Sequence, residues 1–179
     1  MGTTWVALLR GVNVGGITVR SAELAALFRE RGHTDVATIL ASGNVRFVAD
    51  TAPSARAGLK DAVEKALRDR FGYDAWIVLL TLDELAAAVT AFPFDEEDGG
   101  RQPYVLFSSD AAVTAELTEA AASLEDTVTD PVAPGAGVLY WNPPTGRTVD
   151  TPFAKVLGKA RYKSTTTNRN LRTLRRILG

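Results

Sequence analysis

The sequence predicts an α+β fold made of two ferredoxin-like (split βαβ) units, each with an antiparallel sheet and helices on one face. Short apolar runs typical of strands alternate with segments of helical apolar spacing, in the order β-α-β-β-α-β over the first half. The second half reads β-α-β-β-α-α, and each hairpin follows about 30 residues after the first strand of its half begins. We therefore expect one unit over residues 1–94 and a second over residues 95–179.

The amino-terminal segment WVALLRGVNVGG, residues 5–16, is the segment on which the prediction depends most. Trp5–Leu9 is an unbroken apolar run that leads into a Gly-rich polar stretch, which is typical of a buried central strand. A loop over Gly11–Val19 follows. Ser21 is expected to cap the next helix, because its hydroxyl oxygen can accept a free backbone N–H, and Gly32 is expected to end it.

Two further strands are predicted over Asp35–Ala41 and Asn44–Ala49, joined at Ser42 and Gly43. Gly and Asn readily adopt the positive φ values of a tight hairpin turn. A one-residue bulge at Gly43 within a single long strand is the alternative. We expect a hairpin to lie at the opposite end of the sheet from the loop after the first strand. Only the bulge would then let the two segments share one site.

The remaining elements follow from helix caps, breakers and apolar runs. Thr81 and Glu84 form a capping box, in which each side chain accepts a free backbone N–H. The segment DEEDGG, residues 95–100, lacks the ligand spacing of a calcium loop and is interpreted as the joint between the halves. The other predicted elements are a helix over Pro53–Phe71, strands over Trp76–Leu80 and Tyr104–Ser108, a helix containing Val113 and Leu117, strands over Thr127–Val132 and Gly137–Trp141, and helices over about Pro152–Lys159 and Asn168–Leu178.

The composition is that of an ordinary soluble globular protein and excludes several kinds of site. Of the 179 residues, 46% are hydrophobic and 23% are charged. The chain has no cysteine and one histidine, His33, which we interpret as an exposed loop residue, so thiolate and multi-histidine sites are excluded. We predict no metal and no cofactor. Because no apolar run approaches the ~20 residues of a membrane span and no signal peptide is evident, we expect a cytoplasmic protein without membrane contact.

Charge is distributed unevenly, although the net charge is −1. Residues 81–130 contain twelve acidic side chains and one basic side chain, whereas residues 151–179 contain eight basic side chains and no acidic one. In the last predicted helix the leucines and arginines fall on opposite sides, which core packing and the helix dipole explain. The alternative is a phosphate-binding surface on which Tyr162 stacks a base. Its basic members would be Lys155, Lys159, Arg161, Lys163, Arg169, Arg172, Arg175 and Arg176.

The segment RGVNVGG is the first candidate binding site. Backbone amides of a Gly-rich loop can surround an anion, and the guanidinium of Arg10 can donate two hydrogen bonds to it. The segment is neither a P-loop nor a dinucleotide-binding motif, since it lacks their Lys-Ser/Thr and Gly spacings. A tight crossover loop with a paired Arg10 is the structural alternative. The candidate ligand-binding residues over the whole chain are Arg10, Asn13, Gly15, Gly16, Ser42, Asn44, Arg169 and Asn170.

Four segments resemble a bacterial family known as domain of unknown function 1697. They are ALLRGVNVGG, ASGNVRF, Pro93-Phe94 and TTTNRNLRTL, which occur in the family's order and cover nearly the whole chain. One position departs from the family pattern, because Leu171 stands where the family usually has Trp after the Arg-Asn pair. The resemblance implies an α+β fold with a ferredoxin-like unit in a cytoplasmic bacterial protein. It implies no activity.

These observations favour a binding module for an anionic ligand, a nucleotide or a nucleic acid, held by the Gly-rich loop and the basic C-terminal region. One alternative is an enzyme acting on a small phosphorylated or carboxylated metabolite, although no residue can be assigned a catalytic role. Another alternative is a protein-interaction subunit, whose protein partners the sequence does not indicate. The fold class itself does not decide among them.

Overall fold

The computed structural model describes residues 1–12, 16–41 and 43–179, which form two compact units. Unit 1 comprises Met1–Ala86 and Arg175–Gly179, and unit 2 comprises Ala87–Leu174. The strands are β1 (Thr3–Leu9), β2 (Thr34–Thr38), β3 (Asn44–Ala49), β4 (Ile77–Thr81), β5 (Tyr104–Ser108), β6 (Val132–Pro134), β7 (Leu139–Trp141) and β8 (Thr166–Asn170). The helices are α1 (Ser21–Glu30), α2 (Arg56–Phe71), α3 (Leu82–Thr90), α4 (Ala111–Ala122), α5 (Pro152–Leu157), α6 (Ala160–Thr165) and α7 (Leu171–Leu178).

The first sheet has the strand order β2-β3-β1-β4, so β1 is a central strand. It pairs antiparallel with β3 on one side and with β4 on the other. Trp5 and Leu8 are fully buried, and Leu9 is 2% exposed. The prediction that the amino-terminal apolar run forms a buried central strand is therefore confirmed.

Helices α1 and α2 cover one face of this sheet. Residues of β1 that alternate along the strand, Trp5, Ala7 and Leu9, belong to the unit 1 core, as the two-residue period of a strand requires. The helices contribute apolar residues at helical spacing. From α1 these are Leu24, Leu27 and Phe28, and from α2 they are Leu59, Val63 and Leu67.

One predicted helix cap is confirmed and another is wrong, and the surroundings of His33 also differ from the prediction. Thr81 and Glu84 form the predicted capping box, with N–H···O distances of 2.9 and 3.2 Å. Ser21 is not the cap of α1, because Arg20 occupies the N-cap position without a side-chain hydrogen bond. His33 is half-buried rather than exposed, and its ring centroid lies 4.8 Å from that of Phe47.

The second sheet has the order β6-β7-β5-β8 with all pairs antiparallel, which repeats the topology of the first. The chain therefore consists of two ferredoxin-like α+β units, as predicted. The sequence interpretation missed β8 and was wrong to begin the last helix at Asn168. Residues 168–170 pair with β5, and α7 begins only at Leu171. An edge strand of polar residues lacks the apolar alternation by which strands are recognised.

The hairpin of unit 2 is also shifted from its prediction, because β6 begins only at Val132. The preceding residues form a turn, in which the carboxylate of Asp126 accepts the N–H groups of Val128 and Thr129 at 3.0 and 2.9 Å. Such side-chain bonds compete with the strand ladder. Within the described residues, no helix is both long enough and apolar enough to cross a membrane.

Candidate functional site

Three connections of unit 1 meet at the end of the sheet where β1 terminates. The N–H of Leu9 donates to the carbonyl oxygen of Gly43 at 2.8 Å, and the N–H of Arg10 donates to that of Trp76 at 3.2 Å. The connection after β1, the β2–β3 hairpin and the segment before β4 therefore lie side by side. We call this surface the β1 rim and define it as the described residues within 10–20, 39–43 and 72–76.

The expectation that a hairpin would lie at the opposite end from the loop after β1 is wrong. β2 and β3 are separate strands joined by residues 39–43, so the turn is a hairpin and not a bulge in one strand. Both β1 and β2 run antiparallel to β3, and they therefore run in the same direction. The end of β2 then coincides with the end of β1, and a hairpin is compatible with a shared site.

The β1–α1 connection is much longer than the fold requires. It spans residues 10–20, whereas the topologically equivalent β5–α4 connection in unit 2 consists of Ser109 and Asp110. The N–H of Ser109 bonds to the carbonyl oxygen of Thr165 at 2.8 Å, which corresponds to the bond between Arg10 and Trp76. Two residues therefore suffice for this crossover, and the additional length of the first connection needs another explanation.

The described parts of the β1–α1 connection are anchored to the core of unit 1. Val12 and Ile17 pack against the core cluster, and Val19 is 6% exposed. Gly43 adopts a φ of +75°, and a Cβ placed on it would lie 2.5 Å from Val12 Cγ2 and 2.9 Å from Leu9 Cβ. The close seating of Val12 on the hairpin therefore requires glycine at position 43.

Arg10 lies next to an aromatic residue at the rim. β1 and β4 pair Leu9 with Ile77, and the main-chain bond from Arg10 to Trp76 extends this register by one residue. Directly opposed residues of antiparallel strands project to the same face. Leu9 and Ile77 both belong to the core under the helices, so this register places Arg10 and Trp76 on the other face. Both residues are half-buried.

Charge at the rim is predominantly positive. Residues 10–20 contain two arginines and no acidic residue, residues 39–43 contain no charge, and residues 72–76 contain only Asp74. Arg20 is exposed at the N-cap of α1, where the helix dipole also favours an anion. The rim can therefore attract anions.

The predicted ligand residue Asn44 has a structural role in its described contacts. It is fully buried, and its Nδ2 donates to the carbonyl oxygen of Ile39 at 2.9 Å. The N–H of Ile39 bonds in turn to the carbonyl oxygen of Asn44 at 2.9 Å. Asn44 thus closes the hairpin and positions its tip, where Leu40 is 46% exposed and has a φ of +58°.

The other predicted residues of this segment are less informative. Gly16 is exposed and has a φ of +85°, which favours glycine at that position. Asn13, Gly15 and Ser42 lie outside the described residues.

Tyr73 is the second aromatic residue of the rim. Its hydroxyl is buried and has no hydrogen-bond partner, and the ring packs against the core. Burial raises the pKa of the Tyr73 phenol to about 12, so the group stays protonated at neutral pH. It is a potential hydrogen-bond donor and a poor general base.

Arg169 and Asn170 lie in unit 2 and are described separately from the rim. Arg169 is 8% exposed, and its Nη1 donates to Thr167 Oγ1 at 2.7 Å and to the carbonyl oxygen of Asn168 at 2.9 Å. Burial lowers the pKa of the Arg169 guanidinium to about 10. Asn170 Oδ1 accepts the N–H of Arg172 at 2.9 Å and so caps the start of α7. These contacts organise the β8–α7 junction.

The predicted basic surface near the C-terminus is partly neutralised within unit 2. Arg161 forms an ion pair with Glu116, and the Tyr162 hydroxyl donates to the same carboxylate at 3.4 Å. Lys155 and Lys159 are exposed. The remaining surface is smaller than the eight basic residues of the sequence suggest.

Sequence reasoning did not single out Trp76 or Leu40, which both lie at the β1 rim. The sequence places Trp76 at the start of a predicted strand, where an aromatic residue is usually buried. Its position two residues after Asp74, in the segment that joins a helix to a strand, is the pattern that could have indicated a rim. No motif marks Leu40. Within the described residues, no group of three or more His, Asp or Glu side chains could bind a metal ion.

Comparison with known proteins finds one family and a similar fold. Residues 2–140 match a family described as "Protein of unknown function (DUF1697)". The fold is similar to that of the conserved bacterial protein SP0830 from Streptococcus pneumoniae, with a TM-score of 0.83 and 23% sequence identity over 99% of this chain and 98% of that chain. No curated protein matches the chain. At this identity the similarity to SP0830 extends to the fold only.

Proposed function

The chain belongs to the DUF1697 family, and we propose that it is a cytoplasmic binding protein that holds a small anion at the β1 rim. The observation that carries the proposal is the length of the β1–α1 connection, which spans residues 10–20 where the equivalent connection in unit 2 spans residues 109–110. Loop residues that the fold does not need are the usual carriers of function on a rigid scaffold.

The chemistry of the rim supports an anion rather than a cation or a neutral ligand. Arg10 is held by its main-chain bond beside the hairpin, so its guanidinium is presented from a fixed point of the backbone. A guanidinium donates two parallel hydrogen bonds to a carboxylate or phosphate, and a half-buried position strengthens them. Arg20 adds a second positive charge at the start of α1.

The described rim supports binding better than it supports catalysis. General acid–base chemistry needs a group whose pKa lies near neutral pH. The described rim residues offer the exposed Asp74 and the phenol of Tyr73, whose pKa is raised to about 12. The enzyme alternative therefore has less support than the binding alternative.

A titration of the purified chain with inorganic phosphate and pyrophosphate by isothermal calorimetry tests the proposal. We expect saturable binding that weakens with added salt. Replacing Arg10 by Gln should raise the Kd about tenfold or more, since hydrogen bonds to charged groups contribute roughly 1.5–3 kcal/mol.

Arg31→Gln is the matched control, because Arg31 is an exposed arginine at the other end of α1 in the same unit. This variant should bind both anions as tightly as the unaltered chain does. Equal Kd values for Arg10→Gln and the unaltered chain would contradict a site at the β1 rim.

A further inference from the structure

We infer that the anion bound at the β1 rim carries a flat aromatic ring, as a nucleoside monophosphate does, and that Trp76 is the surface on which this ring stacks. The inference rests on the proposed function, since it adds the ring to an anion already assigned to this rim. Its basis is the position of Arg10 along the sheet order, with Trp76 on one side and the hairpin that carries Leu40 on the other.

Trp76 is fixed beside Arg10 by the strand pairing. Its carbonyl oxygen accepts the Arg10 N–H at 3.2 Å, and the next residue, Ile77, is paired with Leu9 and is 1% exposed. Trp76 as a whole residue is half-buried, as Arg10 is. The main-chain bond thus makes the two residues neighbours, and an indole supplies a stacking face while a guanidinium supplies a charge-assisted donor.

Leu40 marks the other side of Arg10. In the order β2-β3-β1-β4, the hairpin lies on the β3 side of β1, whereas Trp76 lies on the β4 side. Leu40 has a φ of +58° and is 46% exposed, although the left-handed region favours Gly or Asn. An apolar side chain in a strained and exposed position is a feature of functional sites.

The charge of the rim favours a single phosphate over a nucleic acid. Its described residues carry Arg10, Arg20 and Asp74 as their charged side chains. Binding of a polymer usually uses a stripe of many basic residues, each of which adds to the salt dependence. A nucleoside monophosphate requires one anion site and one ring platform, which this rim provides in adjacent positions.

The test compares three probes on the full chain by calorimetry: AMP, ribose 5-phosphate without the ring, and adenosine without the phosphate. We expect AMP to bind about tenfold more tightly than ribose 5-phosphate, because stacking of one base on an aromatic side chain has roughly this effect. Trp76→Leu should remove this difference and leave the affinity for ribose 5-phosphate unchanged. Trp76→Phe, which keeps a ring, should retain part of it.

Leu40→Gly provides a second variant that should fold at least as well, because glycine accommodates a φ of +58° without strain. This variant should weaken the binding of AMP more than the binding of ribose 5-phosphate. Thermal unfolding of each variant checks that the rim is intact.

The outcomes separate the two proposals. If none of the three probes and no inorganic anion binds, the proposed function itself is wrong. If AMP and ribose 5-phosphate bind equally well and Trp76→Leu affects neither, the anion site stands and the aromatic ligand is refuted. Much tighter binding of a labelled oligonucleotide than of AMP would also refute it, in favour of a polymer.

Discussion

Replacing Gly43 by alanine should destabilise unit 1 through two effects that the structure separates. Gly43 has a φ of +75°, in the left-handed region that L-residues disfavour. The added Cβ would also lie 2.5 Å from Val12 Cγ2 and 2.9 Å from Leu9 Cβ, both closer than carbon atoms approach. Because Leu9 belongs to the central strand, Val12 would have to move.

The magnitude follows from these two effects. The left-handed conformation of an alanine costs about 1–2 kcal/mol. Forcing a methyl group into an occupied space costs a further 1–3 kcal/mol, roughly. The free energy of unfolding should therefore fall by about 2–5 kcal/mol. For a chain of this length, each kcal/mol lowers Tm by about 2–4 °C.

Gly32→Ala is the matched control for the backbone effect. Gly32 has a φ of +84°, but no atom lies within 4 Å of the position of its Cβ. This variant should lose only the conformational contribution, about 1–2 kcal/mol. Urea denaturation followed by tryptophan fluorescence measures both variants. Equal losses in Gly43→Ala and Gly32→Ala would refute the close packing of Val12 on the hairpin, and with it the anchoring of the β1–α1 connection.

Two further predictions concern stability. Asp130 is 1% exposed, and its carboxylate accepts hydrogen bonds from Trp141 Nε1 and Phe153 N, each at 3.1 Å. Because Asp130→Ala leaves these two donors unpaired, the free energy of unfolding measured by chemical denaturation should fall by roughly 2–4 kcal/mol. The same change at the exposed Asp95 should cost far less, and equal losses would contradict this role. Burial, and to a smaller extent the charge of Arg31, lowers the pKa of His33 below 6.5, so the folded state binds its proton less readily than the unfolded chain. This contribution to stability is complete above pH 6.5 and is lost as the pH falls through the pKa of His33 in the folded state. In His33→Gln, the free energy of unfolding should therefore depend less on pH over that range.

The features that sequence reasoning predicted are those in which burial determines the residue type. The run Trp5–Leu9 is apolar at every position because β1 is a buried central strand, and such a pattern can be recognised without coordinates. The capping box of Thr81 and Glu84 could also be predicted from the sequence, since it depends only on residues close to each other along the chain.

The features that were missed depend on pairing between distant segments. β8 consists of polar residues and is a strand because β5 offers it an unpaired edge, a fact that Thr166–Asn170 alone do not contain. The convergence at the β1 rim depends on the relative direction of β1 and β2, which follows from the crossover and not from any motif. Trp76 is a neighbour of Arg10 only because the main chains of the two residues pair.

The repetition of one topology within the chain gives an argument about function that a single unit could not give. Both units join the end of the first strand to the start of the fourth by an equivalent main-chain bond, from Arg10 to Trp76 in one unit and from Ser109 to Thr165 in the other. In unit 2, two residues are enough to connect the first strand to the following helix. The length, the glycines and the arginines of residues 10–20 therefore exceed what folding needs, and so does the strained Leu40 of the neighbouring hairpin. Departures from local rules that the fold does not require are expected at functional sites, which is why we base the proposed site on the difference between the two units rather than on their shared architecture.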